Sequence, residues 1–252
     1  MLSEQEIYKW LSSFLWPFFR ILSFLMVVPF IGVPLIPARI KIILAAFITL
    51  ALLPELKVPT VQSMFSLQAL SILLNQLLIG IFMGLALQLI FQVFQTGGEI
   101  VAQQSGISFA SMVDPMSNIS MPVVSQLYLI IVTLIFIGLD GHLILIKKVA
   151  ESFSVYPMNL GLGDFIDGTA FLHDISWVFK SALSIGMPAI TGMLVLNTAM
   201  ALITRATPQI HIHSISFPLM LLAGMVILLI SLSHIGLHFE NAIEQYESWF
   251  GG

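Results

Sequence analysis

The sequence predicts an all-α, polytopic membrane protein, and three observations carry that reading. Charged residues make up 9% of the 252-residue chain and hydrophobic residues 58%, with a mean hydropathy of +1.01. A soluble domain carries about 25% charged residues, so a water-exposed fold of this size would lack the polar surface to cover itself. The apolar residues are gathered into six stretches. They read as helices, because barrel strands alternate apolar and polar residues in pieces of about 10 and nothing here alternates.

A helix crosses the bilayer core with about 20 apolar residues. Segment one runs from Trp10 to Val33 and contains Arg20, in "WPFFRILSF". A central arginine costs about 2.5–3.5 kcal/mol on insertion scales. It either snorkels to the nearby interface or pairs across a subunit contact, with Glu99 and Asp140 as candidates. "VPLIPAR" (Val33 to Arg39) is a proline-punctuated turn, and "PELKVPT" (Pro54 to Thr60) is another. Between them lies segment two, Ile42 to Leu53, short for a span.

Segment three runs from Phe65 to Phe94 and holds Gly80 and Gly84, a small-residue spacing that lets two helix backbones approach. Gly97-Gly98-Glu99 follows, where this helix can kink or end. Segment four, Pro122 to Ile146, is interrupted by Asp140-Gly141-His142. That triplet is either a proton relay or a helix break. Segments two, three, five and six hold no carboxylate, which favours the break. Glu151 to Asp174 is the most polar stretch and reads as an aqueous linker. It separates a four-segment part, residues 1–170, from a helical hairpin, residues 171–252. Segment five, Ile175 to Ile203, contains Pro188, which is expected to kink it. "TRATPQIHIH" (Thr204 to His213) is the hairpin turn, and segment six runs from Ile215 to Leu237.

Several functions are set aside by what the chain contains. A net charge of −4 argues against a nucleic-acid partner. The absence of cysteine excludes disulfides, thiolate metal sites and cysteine nucleophiles. His211 and His213 have no third ligand at the usual spacing, so no metal site is expected there. No nucleophile–base–acid order, phosphate loop or catalytic acid pair is visible. The reading is of a protein without catalytic residues or cofactor. The N-terminus, with two acids before its first lysine, lacks the positive region of a signal peptide and is expected to be retained. The topology signal is balanced: Lys9, Lys57, Lys147 and Lys148 on one side against Arg39, Lys41 and Arg205 on the other.

One segment fits neither water nor lipid. "SGISFASMVDPMSNISM" (Ser105 to Met121) has one charge, Asp114, and no base. Gly106, Ser108, Ala110 and Ser111 permit close backbone approach. Phe109, Met112, Met116 and Met121 add apolar bulk, and methionine fills irregular gaps without one fixed rotamer. Non-helical backbone at membrane depth is tolerated only where protein encloses it or it lines a cavity. The loop therefore suits either a protein-enclosed channel or an interfacial position against helix ends.

"TGGEIVAQQSGISFASMVDPMSNISMP" (Thr96 to Pro122) closely resembles a signature of the FliR family of type III export-gate proteins. "LNTAMALITRATPQIHIHSISFPL" (Leu196 to Leu219) resembles that family's second signature, with Asn197, Arg205, Pro208 and Gln209 in matching places. "WPFFRI" and "IPARIK" also fit, so the resemblance covers essentially the whole chain. It implies a FliP-like part fused to a FliQ-like helical hairpin, set in a helical hetero-oligomeric export gate in the bacterial inner membrane. The implied partners are FliP-like and FliQ-like subunits, FlhB-like and FlhA-like proteins, lipid, and unfolded flagellar export substrates. The implied function is to help form the export pore and plug it with the loop Gly106 to Met121. Its gating residues would be Gly106, Ser108, Phe109, Met112, Val113, Asp114, Pro115, Met116 and Met121. Arg20, Gly80, Gly84, Glu99, Asn197, Arg205, Pro208 and Gln209 are the candidate assembly and partner contacts. The rival readings are an injectisome gate subunit of the SctT family, a small-solute transporter, for which no inverted repeat is visible, and a purely structural scaffold.

Overall fold

A computed structural model describes residues 4–32, 34, 36–56, 66–108, 122–158, 168–206 and 213–250. Those residues contain α-helices and no strand. In chain order the helices are α1 (Glu4–Val27), α2 (Ala38–Leu52, continued by the 3-10 turn Leu53–Glu55), α3 (Leu67–Gln104), α4 (Val123–Gly138), α5 (Gly141–Val155), α6 (Gly168–Ala206) and α7 (His213–Phe250). Residues 67–104, 173–206 and 218–250 are each long and apolar enough to cross a membrane, and α4 with α5 together make a fourth candidate. At 38 residues, α3 would extend about 57 Å, well beyond the ~30 Å hydrocarbon core.

The elements depart from the sequence expectations in three places. Helix α3 runs unbroken through Gly97-Gly98 to Gln104. Each helical glycine costs about 1 kcal/mol relative to alanine, but both sites are needed for packing. A Cβ at Gly97 would lie 2.7 Å from Ile185, and one at Gly98 would lie 2.9 Å from the Ser125 Cα. Helix α7 continues past Leu237 to Phe250, burying Phe239, Ala242, Tyr246 and Phe250 on one face. The polar linker is shorter than expected, because Glu151 belongs to α5 and Asp174 to α6. Glu151 is paired one turn along its own helix with Lys147 at 3.7 Å and Lys148 at 3.0 Å. Pro188 lies inside α6.

The chain divides into two compact units. The first comprises residues 1–89, 141–173 and 244–252. In it α1 and the start of α3 run parallel in a constant offset: Arg20 faces Gln76, Ser23 and Phe24 face Gly80, and Val27 faces Gly84. Trp16, Ala69, Ile72 and Met158 form a small core, with Leu73 and Phe153 against it. Helix α2 is inside out. Its buried stripe is Lys41, Ala45 and Thr49, while Ile43 is 56% and Phe47 67% exposed. Lys41 Nζ donates to the Gly32 carbonyl at 3.0 Å. Such a helix is stable only where its outer face meets lipid or another subunit.

The second unit comprises residues 90–140 and 174–243. The rest of α3 lies at its centre. Phe91, Phe94, Phe136 and Phe239 pack edge-to-face or tilted against one another with centroids 5.7–6.3 Å apart. Tyr128 of α4 donates to Ser231 of α7 at 2.8 Å. These pairs set α4 parallel to α7, and both antiparallel to α3. Gly97 against Ala182 and Ile185, and Gly186 against Ile100, set α6 parallel to α3. Helices α6 and α7 carry exposed apolar residues such as Phe179, Val195 and Leu229.

Candidate functional site

Two places gather the residues that the sequence singled out. The first is the end of α3 in the second unit. Gly106 has φ 73°, a left-handed conformation that glycine adopts without strain and that commonly ends helices. Its N–H donates to the Gln103 carbonyl at 3.3 Å, and the Ser108 N–H donates to the Ala102 carbonyl at 3.3 Å. Two of the last carbonyls of α3, Ala102 and Gln103, are thereby satisfied. Ser105, buried, anchors this turn: its Oγ donates to the Val101 carbonyl at 2.7 Å, and its N–H donates to the same carbonyl at 3.0 Å. Gly224 of α7 lies against it so closely that an added Cβ would overlap the Ser105 side chain and come within 3.0 Å of its Cα. The root of the loop is therefore a capped helix end seated on a glycine. Of the loop residues singled out, Gly106 and Ser108 lie in this root. Phe109, Met112, Val113, Asp114, Pro115, Met116 and Met121 lie outside the described residues.

The second place is Arg20 in the first unit. It is fully buried, so it does not snorkel. Its Nε donates to Gln76 Oε1 at 2.7 Å. Nη1 donates to the Ser152 carbonyl at 2.8 Å and to Ser152 Oγ at 3.2 Å. Nη2 donates to the Tyr156 carbonyl at 2.8 Å, and the Phe153 ring lies 4.2 Å from the guanidinium carbon. These partners are neutral. Two are carbonyls at the C-terminus of α5, where cations are favoured and acceptors lack helical donors. The arginine caps α5 and ties it to α1 and α3. Gly80 and Gly84 belong to the same contact. A Cβ at Gly80 would overlap the Arg20 carbonyl and Ser23 Oγ, and one at Gly84 would reach Val27 Cβ at 2.8 Å.

The remaining candidates are dispersed. Glu99 accepts from Gln95 of its own helix at 3.5 Å. Asp140, with φ 54°, sits between α4 and α5, so Asp140-Gly141-His142 is a helix break. A short polar side chain tolerates that left-handed conformation. Asn197 and Arg205 are exposed on α6, Arg205 in its last turn. Pro208 and Gln209 lie outside the described residues. No group of three or more metal-ligating side chains occurs among the described residues.

Sequence reading did not find Gln76, Ser152, Phe153 or Tyr156 around Arg20, nor Gly224 beneath Ser105. No local pattern marks the first set, whose pairings span 56–136 residues. Gly224 had a usable signal, an isolated glycine inside a strongly apolar helix, which often marks close helix approach.

Comparison with known proteins gives a single family. The chain matches "Bacterial export proteins, family 1" over residues 11–246. It is similar to "Flagellar biosynthetic protein FliR" of Escherichia coli (strain K12), with 37% identity over 226 residues, 88% of this chain and 85% of that one. It is similar to the protein of the same description in Aquifex aeolicus (strain VF5), with 32% identity across 94% of this chain and 92% of the other. A third, from Bacillus subtilis (strain 168), is 22% identical across 91% of this chain and 89% of its own.

Proposed function

The chain belongs to family 1 of the bacterial export proteins, and from that membership we propose how it contributes to the pore. It is a subunit of the flagellar type III export gate, as its relatives named for flagellar biosynthesis indicate. The family is one of structural export-gate proteins, and the apolar helices fit a membrane protein. The injectisome and solute-carrier readings draw no support from those relatives.

Within that gate the loop 106–121 acts as a plug. One observation carries this reading: the loop springs from an anchored root, the capped end of α3 at Ser105 and Gly106 pressed on Gly224. A plug requires a base that stays put while its tip yields. The tip sequence supplies Phe109, Met112, Met116 and Met121, bulk that reshapes without breaking hydrogen bonds. Val113, Asp114 and Pro115 belong to the same stretch of sequence. An unfolded substrate displaces the tip, and no covalent step is involved. The exposed apolar faces of α2, α6 and α7 meet FliP-like and FliQ-like neighbours and inner-membrane lipid. The turn near Arg205, Pro208 and Gln209 meets FlhB-like or FlhA-like proteins. Residues 1–170 correspond to the FliP-like part and 171–252 to the FliQ-like hairpin.

Deleting Gly106 to Ser120 in the assembled complex and measuring ion permeability of the membrane tests the plug. Raised leakage with the complex intact is expected. Unchanged leakage in an intact complex would remove the role.

A further inference from the structure

On α7, His234 and His238 are one turn apart, so their rings project from the same side of the helix. His234 is exposed and His238 half-buried. The His234 Nδ1 lies 3.0 Å from the Ile230 carbonyl oxygen, and the neighbouring Ser233 hydroxyl donates to the same oxygen at 2.7 Å. Nδ1 also lies 3.0 Å from the Ser233 Oγ; the tautomer with the proton on Nδ1 turns both contacts into hydrogen bonds and leaves the lone pair on Nε2. This is the arrangement metal-binding histidines use: one ring nitrogen donates to the backbone, fixing the tautomer, and the other is left for the ion. His238 makes no hydrogen bond or ion pair among the described residues, and neither ring is paired with a carboxylate there.

We propose that His234 and His238 form a two-imidazole chelate for a divalent first-row transition-metal ion on the outer side of α7. With two protein ligands the site is open, and water completes the coordination sphere. Imidazole nitrogen without thiolate suits copper(II), nickel(II) and zinc, with copper(II) binding most tightly by the general affinity order of these ions. The pair stands near the end of the apolar part of α7, beyond which Glu240, Glu244 and Glu247 follow, so a hydrated ion reaches it from the aqueous side.

The test uses the full-length chain, purified in detergent without a polyhistidine tag and titrated with copper(II) and, separately, nickel(II). One saturable ion per chain is expected, tighter for copper(II). Its electron paramagnetic resonance spectrum should show two imidazole nitrogens. His234→Ala and His238→Gln should each weaken binding about tenfold or more and leave one nitrogen in the spectrum. The double variant His211→Ala with His213→Ala should bind as the parent does. Thermal melting without metal identifies any variant that misfolds, and the other single variant then decides. Binding weaker than about 1 mM, retained affinity in both single variants, or loss in the His211 and His213 variant would each overturn the site.

Discussion

Replacing Gly80 by alanine puts the close contact between α1 and α3 to a quantitative test. The new Cβ would overlap Ser23 Oγ and the Arg20 carbonyl oxygen, and reach the Phe24 nitrogen at 3.0 Å. The serine can rotate away, but the carbonyl cannot. Ordinary contact begins at 3.4 Å, so in a close-packed interface the two helices must part by about 1 Å at this level. The Arg20 Nε to Gln76 bond, one turn away at 2.7 Å, would then stretch to about 3.7 Å, beyond hydrogen-bonding range. Losing a hydrogen bond to a charged group costs about 1.5–3 kcal/mol, and overpacking about 1–3 kcal/mol. Alanine returns about 1 kcal/mol of helix propensity. The net expectation is a destabilisation of about 1.5–5 kcal/mol. Gly236→Ala is the matched control, since a Cβ there meets nothing within 4 Å and should stabilise by about 0.5–1 kcal/mol. Thermal unfolding of the isolated full-length chain in detergent, followed by circular dichroism, should rank Gly236→Ala at or above the parent and Gly80→Ala well below it. A Gly80→Ala chain that melts at or above the parent would refute the packing argument.

Arg20→Lys should lose about 2–4 kcal/mol in the same melting assay, because one ammonium cannot reach Gln76, Ser152 and Tyr156 together. At the helix break, Asp140→Gly should be nearly neutral. Asp140→Val should cost about 1–3 kcal/mol, since a β-branched residue resists φ 54°; melting temperatures of the two variants check it. Gly224→Val should drive its side chain into Ser105 and displace the loop root, giving a measurable ion leak in assembled complexes while Gly236→Val gives none.

The apolar segments and the break at Asp140 were legible in the sequence because each is a local property. Runs of apolar residues are helical wherever backbone groups must satisfy themselves, and Asp-Gly is a turn dipeptide in any context. Gly97-Gly98 misled because the same residue type ends helices and lets them touch. Only the partners decide which, here Ile185 on one side and Ser125 on the other. Arg20 misled for a related reason. Its cost in lipid is visible from the chain, but its solution, the carbonyl end of α5, lies more than 130 residues away. The short second segment was read correctly as unusual, and its inverted faces explain why: Lys41 and Thr49 point inward while Ile43 and Phe47 point out.

That inversion bears on the balanced charges of the loops. A protein whose outer faces all met lipid would need its bases sorted strongly to one side. Here Lys41, counted with the turns, is buried and donates to the Gly32 carbonyl, and Lys148 is held against Glu151. Both are consumed by the fold and do not orient it. Arg20 is likewise spent on closing the end of α5. The chain thus turns Arg20, Lys41 and Lys148 inward, onto carbonyls, neutral side chains and Glu151, while Arg39, Lys147, Lys180 and Arg205 stay exposed beside much aliphatic and aromatic surface. Such a distribution suits a subunit that is finished by its neighbours, because each outward face of α2, α6 and α7 stays costly in water until lipid or another helix covers it. Of the long helices α3 is the exception: 56% of its most apolar stretch is already buried by the chain itself, against 22% for α6 and 17% for α7. The loop root thus ends the long helix that the chain itself already covers most, a placement that suits the proposed anchored plug.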